Sequence, residues 1–149
     1  MISVIIMTLP HTRMLYQEIA LIISMFSRSL NKNYDQVIFF IKSLPKLPDV
    51  LCIRETWLNA NNVHLHEIDD YISYHVHRPP GSPGGGVAIY INIDIQSEII
   101  EDFCMCDESA ELCSVRIILP TTSYSVTCIY RPYSKHAKFS NSFSQTIGI

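Results

Sequence analysis

The sequence has no surplus of basic charge, no regular cysteine framework and no long apolar run, and each shortage excludes something. Its 149 residues carry 11 Lys and Arg against 14 Asp and Glu, a formal net charge of -3 at pH 7. A small protein held to nucleic acid by phosphate neutralisation alone needs a global basic footprint, so any such contact here is local. Five cysteines, Cys52, Cys104, Cys106, Cys113 and Cys128, form an odd set without regular spacing. That excludes a small stapled scaffold and favours reduced thiols in an intracellular setting, nuclear or cytoplasmic. Met1–Met7 has no basic flank and is cut short by Pro10, His11 and Arg13, which makes a poor signal peptide. The run from Ile19 to Phe26 falls far below the roughly 18–20 residues that cross a bilayer, so a buried strand explains it better than a membrane does.

What is present is apolar content. At 48% hydrophobic and 17% charged, the chain has enough for one packed core and too much for wholesale disorder. Residues 1–18 follow no clear period and read as an extension of uncertain structure, with a domain over 19–149. Ala20–Phe26 is short, apolar and partly β-branched, the pattern of a strand buried on both faces. After a loop at Ser27–Asn31, Asn33 and Gln36 resemble a capping pair for a helix carrying Tyr34, Val37, Ile38, Ile41 and Leu44, which Pro45 and Pro48 end. A second apolar run at Val50–Ile53 completes a strand-helix-strand start whose two strands share a sheet. Tyr71–His77 and Val87–Ile91 flank the glycine-rich turn Pro79–Gly86 as a hairpin-like pair. Leu112–Leu119 and Tyr124–Tyr130 are two further strands around Pro120–Ser123, and a helix near Ala137–Phe143 closes the pattern. The fold class is α+β, rich in strands, with one convincing helix.

Glu55 falls at the exit of an otherwise buried strand, where a carboxylate is costly unless it meets a cation or hydrogen-bond donors. Alone it reads as a surface group, but its neighbours change that. Arg28-Ser29-Leu30, a helix, Pro48-Asp49 leading to Glu55-Thr56-Trp57-Leu58, Gly84-Gly85-Gly86-Val87-Ala88-Ile89-Tyr90, and Tyr130-Arg131-Pro132 follow in order. This series resembles the endonuclease/exonuclease/phosphatase family, in the branch carried by non-LTR retrotransposons of the jockey type, from about Ile22 to Tyr133. The resemblance implies the N-terminal part of a DNase I-like two-sheet α/β sandwich that hydrolyses DNA phosphodiesters with a divalent metal, usually magnesium. It implies Glu55 as the metal ligand, Tyr130 with its hydroxyl toward the scissile phosphate, and Arg131 as the adjacent cation. A hard cation prefers carboxylate oxygen and neutralises charge on a phosphoryl oxygen, which agrees with Glu55 in that role.

Two departures qualify the resemblance. Phe26 stands where the family has Asn, and a ring makes no amide hydrogen bonds. The Gly-Asp-Phe-Asn-like and Ser-Asp-His-like words that supply the family's base and orienting groups do not follow Tyr130-Arg131-Pro132. The expectation is therefore a truncated endonuclease-like domain, inactive as these residues stand, with an uncovered sheet face and an open strand edge. A non-catalytic interaction protein that self-associates through that face is the alternative.

Other constellations are set aside. His64-x-His66, His75-x-His77 and Cys104-x-Cys106 suit zinc by ligand type but lack the spacing of a finger or ribbon. Gly84–Gly86 leads into a strand without a Gly-Lys-Ser/Thr word, so it reads as a tight turn rather than a phosphate cradle. Trp57 reads as a core aromatic beside the site, and Tyr71, Tyr74 and Tyr90 as half-buried strand residues.

Overall fold

Alternation along the strands decides which side chains meet. The computed structural model describes residues 5–8 and 21–131, and contains β1 (Ile5–Thr8), β2 (Ile22–Phe26), α1 (Leu30–Ser43), β3 (Val50–Arg54), β4 (Tyr71–Val76), β5 (Val87–Asn92), β6 (Gln96–Ile99), β7 (Met105–Cys106), β8 (Glu111–Ile118) and β9 (Ser123–Tyr130). Two sheets form, one in the order β1-β9-β8-β6 with β7 also on β8, the other β2-β3-β5-β4. β2 and β3 run parallel across α1, with Phe26 opposite Arg54, while β3, β5 and β4 pair antiparallel. The architecture is α+β with two sheets and one α-helix among the described residues.

Between the sheets, Val50, Cys52, Val87, Ile89 and Ile91 pack against Cys113, Val115, Ile117, Val126 and Cys128. The alternate residues Leu51, Ile53, Ala88 and Tyr90 face the other way, onto Leu30, Val37 and Ile41 of the helix. β3 is therefore buried on both faces, which is why its sequence is an unbroken apolar run. β2 corrects the expectation of a doubly buried strand: it is half-buried throughout, because it lies at the edge of its sheet.

The helix begins earlier than the Asn33–Gln36 pair suggests. Ser29 Oγ accepts from Lys32 N at 3.3 Å and caps it, because Leu30, with no exposed surface, must already face the core. Asn33 instead turns its amide back, donating Nδ2 to the Ser27 carbonyl at 2.7 Å, and its own backbone leaves helical values. β1, β6 and β7 are additions to the elements read from the sequence. β6 escaped because Gln96, Ser97 and Glu98 are polar on both parities at an exposed edge. β1 pairs antiparallel with β9, Ile5 opposite Cys128.

The second sheet is covered by the helix on one side and by the first sheet on the other. The outer face of the first sheet is mixed: Leu112 and Ile129 are buried in an apolar cluster with Ala110, while Ser114, Arg116, Ser125 and Thr127 carry a Ser114–Thr127 hydroxyl pair at 2.9 Å and an Arg116–Glu98 ion pair at 2.6 Å. The helix expected near Ala137–Phe143 lies outside the described residues. Among the described residues no helix is long and apolar enough to cross a membrane.

Candidate active site

The register brings one set of strand ends together. Phe26 ends β2 beside Arg54, which ends β3. Val87 opens β5 opposite Arg54, and Glu111 opens β8 opposite Tyr130, the end of β9. Parity sends Arg54 to the side of Val50 and Cys52, and Glu111 to the side of Cys113 and Val115, so both point between the sheets.

Three loops lock around Glu55. Ser29 N donates to the Glu55 carbonyl at 2.7 Å and Leu30 N to that of Thr56 at 2.9 Å, while Ser27 Oγ donates to the Glu55 carbonyl at 3.0 Å. From the other side Trp57 N donates to the Gly85 carbonyl at 2.9 Å and Thr56 N to that of Gly86 at 3.2 Å. Held this way, Glu55 (φ 58°) and Trp57 (φ 55°) sit in the left-handed region, as do Arg28 (φ 46°) and Ser29 (φ 82°). Such outliers cost of order 1 kcal/mol or more each and cluster where geometry serves function.

The Glu55 carboxylate is buried, and its Oε2 accepts from the Trp57 indole N–H and from Gly85 N at 3.3 Å. Tyr130 meets it from β9. Burial first, then the hydrogen bond and charge of Glu55 and the charge of Glu111, raise the Tyr130 pKa, with Arg78 opposing, so the phenol stays a donor. Arg131 follows, half-buried and engaged in an interaction of its own. The structure thus brings Glu55 and Tyr130 together.

Sequence reasoning missed Glu111, Arg78 and Arg54. Glu111 has no exposed surface. Arg78 Nε bonds its Oε1 and Gly86 N its Oε2. Burial raises its pKa despite both bonds, and the charge of Glu55 adds to the rise. A usable signal existed, since Glu111 and Arg54 each occupy the inward parity of an apolar strand. The glycine turn is set by contact: a Cβ on Gly85 would strike Arg78 Nε and Glu111 Oε1, and one on Gly86 would strike Thr56 Oγ1. Positive φ at Gly84, Gly85 and Gly86 makes the tight turn read from the sequence.

Trp57 corrects its reading as a core aromatic. It is 42% exposed, held outward by its positive φ and its bond to Glu55, with Lys32 5.8 Å from its ring centroid. Tyr90 and Tyr71 are buried rather than half-buried, because their hydroxyls find the His66 and Pro48 carbonyls at 2.9 and 2.6 Å. His64 is exposed while His66 is buried and bonds the Asn62 carbonyl. Among the described residues no group of three or more His, Cys, Asp or Glu comes together to hold a metal. Magnesium asks for less, often one or two carboxylates with waters and substrate phosphate, and Glu55 fits as one such ligand. Glu111, committed to Arg78 and Gly86, does not.

The chain matches no protein-family model and no curated protein.

Proposed function

We propose that this chain carries the metal-anchoring part of a phosphodiesterase site of the endonuclease/exonuclease/phosphatase kind, in a DNase I-like sandwich of the non-LTR retrotransposon branch, directed at DNA. The observation that supports this is the meeting of Glu55, at the exit of β3, with the Tyr130 hydroxyl, at the end of β9. Magnesium bound at Glu55 supplies neutralisation of charge on a phosphoryl oxygen. Trp57 and Gly85 hold the carboxylate in one orientation, and Tyr130, kept protonated, offers its hydroxyl to a phosphate oxygen. The 149 residues contain no Gly-Asp-Phe-Asn-like or Ser-Asp-His-like word, so the reading assigns them binding without sustained turnover.

Incubation with supercoiled DNA and magnesium tests this. The expected result is magnesium-dependent DNA binding that Glu55→Gln removes, with no accumulation of nicked circles. Sustained nicking abolished by Glu55→Ala would sink the claim of inactivity. Binding indifferent to both magnesium and Glu55 would sink the site itself.

Self-association is the second reading. β2 is an edge strand, and Phe40, 43% exposed, shares a shallow groove with Met25 of that strand, next to Phe39 at 77%. A monomer in sizing experiments at micromolar concentration removes it.

A further inference from the structure

Arg54 is buried, 7% exposed, with its guanidinium 5.9 Å from the centroid of the Phe26 ring. The Arg28 guanidinium lies 6.0 Å from the same ring, so two like charges converge on one aromatic. Among the described residues neither guanidinium enters an ion pair, and Arg54 Nε is buried without a hydrogen-bond partner. The Arg54 carbonyl is well used, accepting from Ser27 N at 3.0 Å, but that serves the backbone alone. A buried guanidinium nitrogen without an acceptor is costly, and a cation–π contact offsets only part of the cost. The same ring stands 6.4 Å from that of Tyr130, which joins the pair of arginines to the site.

We propose that Arg54, seated on Phe26 with Arg28 as its exposed companion, is a phosphate-oxygen receptor at the mouth of the site. This rests on the phosphodiesterase reading of Glu55 and Tyr130 and adds the group that takes hold of the substrate's phosphate. A tetrahedral phosphate presents several acceptor oxygens, and guanidinium forks bind such oxygens in pairs. Phe26 then has a role of its own, as the platform that holds both cations.

The full chain is melted in inorganic phosphate and in chloride of equal ionic strength, with EDTA present. Phosphate stabilises most proteins by exclusion from their surface, so the quantity read is the excess over each arginine variant. The wild type is expected to gain about 3–5 °C more from phosphate than Arg54→Met, as a bound ligand requires. Arg54→Met should melt no lower than wild type in chloride, since Met fills the space without a buried charge. Arg28→Met, at an exposed position, should lose part of the gain, and Arg116→Met on the outer face should keep all of it. Equal phosphate shifts in the wild type, Arg54→Met and Arg28→Met overturn the proposal.

A second arm uses a short DNA duplex with magnesium in place of EDTA. An affinity about tenfold lower in Arg54→Met, with a salt slope reduced by about one, supports the receptor and names nucleic acid as the source of the phosphate. An Arg54-dependent phosphate shift without duplex binding supports the receptor while removing the DNA-directed reading, so the two failures are distinguishable.

Discussion

The two ends of the sandwich use polar residues in opposite ways. At one end a cleft of about 830 Å³ opens between Lys46, Asp49, Asn92, Asp94 and Pro120. Its groups are locally satisfied: Asp49 Oδ2 accepts from Leu21 N at 3.0 Å and pairs with Lys46 at 3.7 Å, and Asn92 Oδ1 accepts from Asp94 N at 3.0 Å. At the other end the depression beside Trp57 and Gly84 holds about 70 Å³ and the groove along Met25–Arg28 about 440 Å³. Yet Glu55, Glu111 and Arg54 are buried there, and of the five described non-glycine residues with positive φ four lie there, Asp70 being the fifth. The larger space is the gap between ordinary turns. Buried charge and backbone strain, held by three interlocked loops, mark the proposed site better than volume does.

If this contrast is right, damage at the charged end should match damage to the core. Arg78→Met leaves Glu111 buried and unpaired and should cost about 3–5 kcal/mol near neutral pH in urea unfolding. Because burial already raises the Glu111 pKa, that loss should shrink as pH falls and the carboxylate takes up a proton. A pH-independent loss would place the effect in packing.

Just behind the charged end, His75 packs edge-on to Tyr90 with both ring nitrogens buried and unpartnered, and burial, then the charges of His77 and His66, lower its pKa to about 4. The unfolded chain binds a proton below about pH 6.5 and the folded protein does not until about pH 4, so stability is full above that window and falls through it. The fall should reach about 3 kcal/mol, and His75→Phe should flatten that part of the pH profile.

Gly85→Ala should cost about 2 kcal/mol or more, since the new Cβ meets the Arg78–Glu111 pair at φ +78°. Asp49→Asn, at the satisfied end, keeps an acceptor for Leu21 N and loses a surface pair, and should change stability by less than about 1 kcal/mol. A large effect there would erase the distinction between the two ends.

Much of the frame was legible. Val50–Ile53 and Val87–Ile91 are apolar runs that could only be buried, and the proline and glycine turns bounded the strands on either side. β6 was not legible, because an exposed edge strand needs no apolar alternation to form. Glu55 and Tyr130 were legible as members of ordered words. Glu111 and Arg78 were not, because neither belongs to such a word and their pairing joins the turn after β4 to the start of β8.

The sequence by itself determined the α+β class, the parallel strand-helix-strand start, the glycine turn and the position of Glu55 at a strand exit. These depend on local periodicity and on backbone permissions carried by single residues. Only the tertiary structure decided that Ser29 caps the helix, that Trp57 faces solvent, and that Arg54 and Arg28 share the Phe26 ring. Each of those is set by a competition for burial or for a hydrogen-bond partner distant in the chain, and such competitions are settled only when the sheets close on each other.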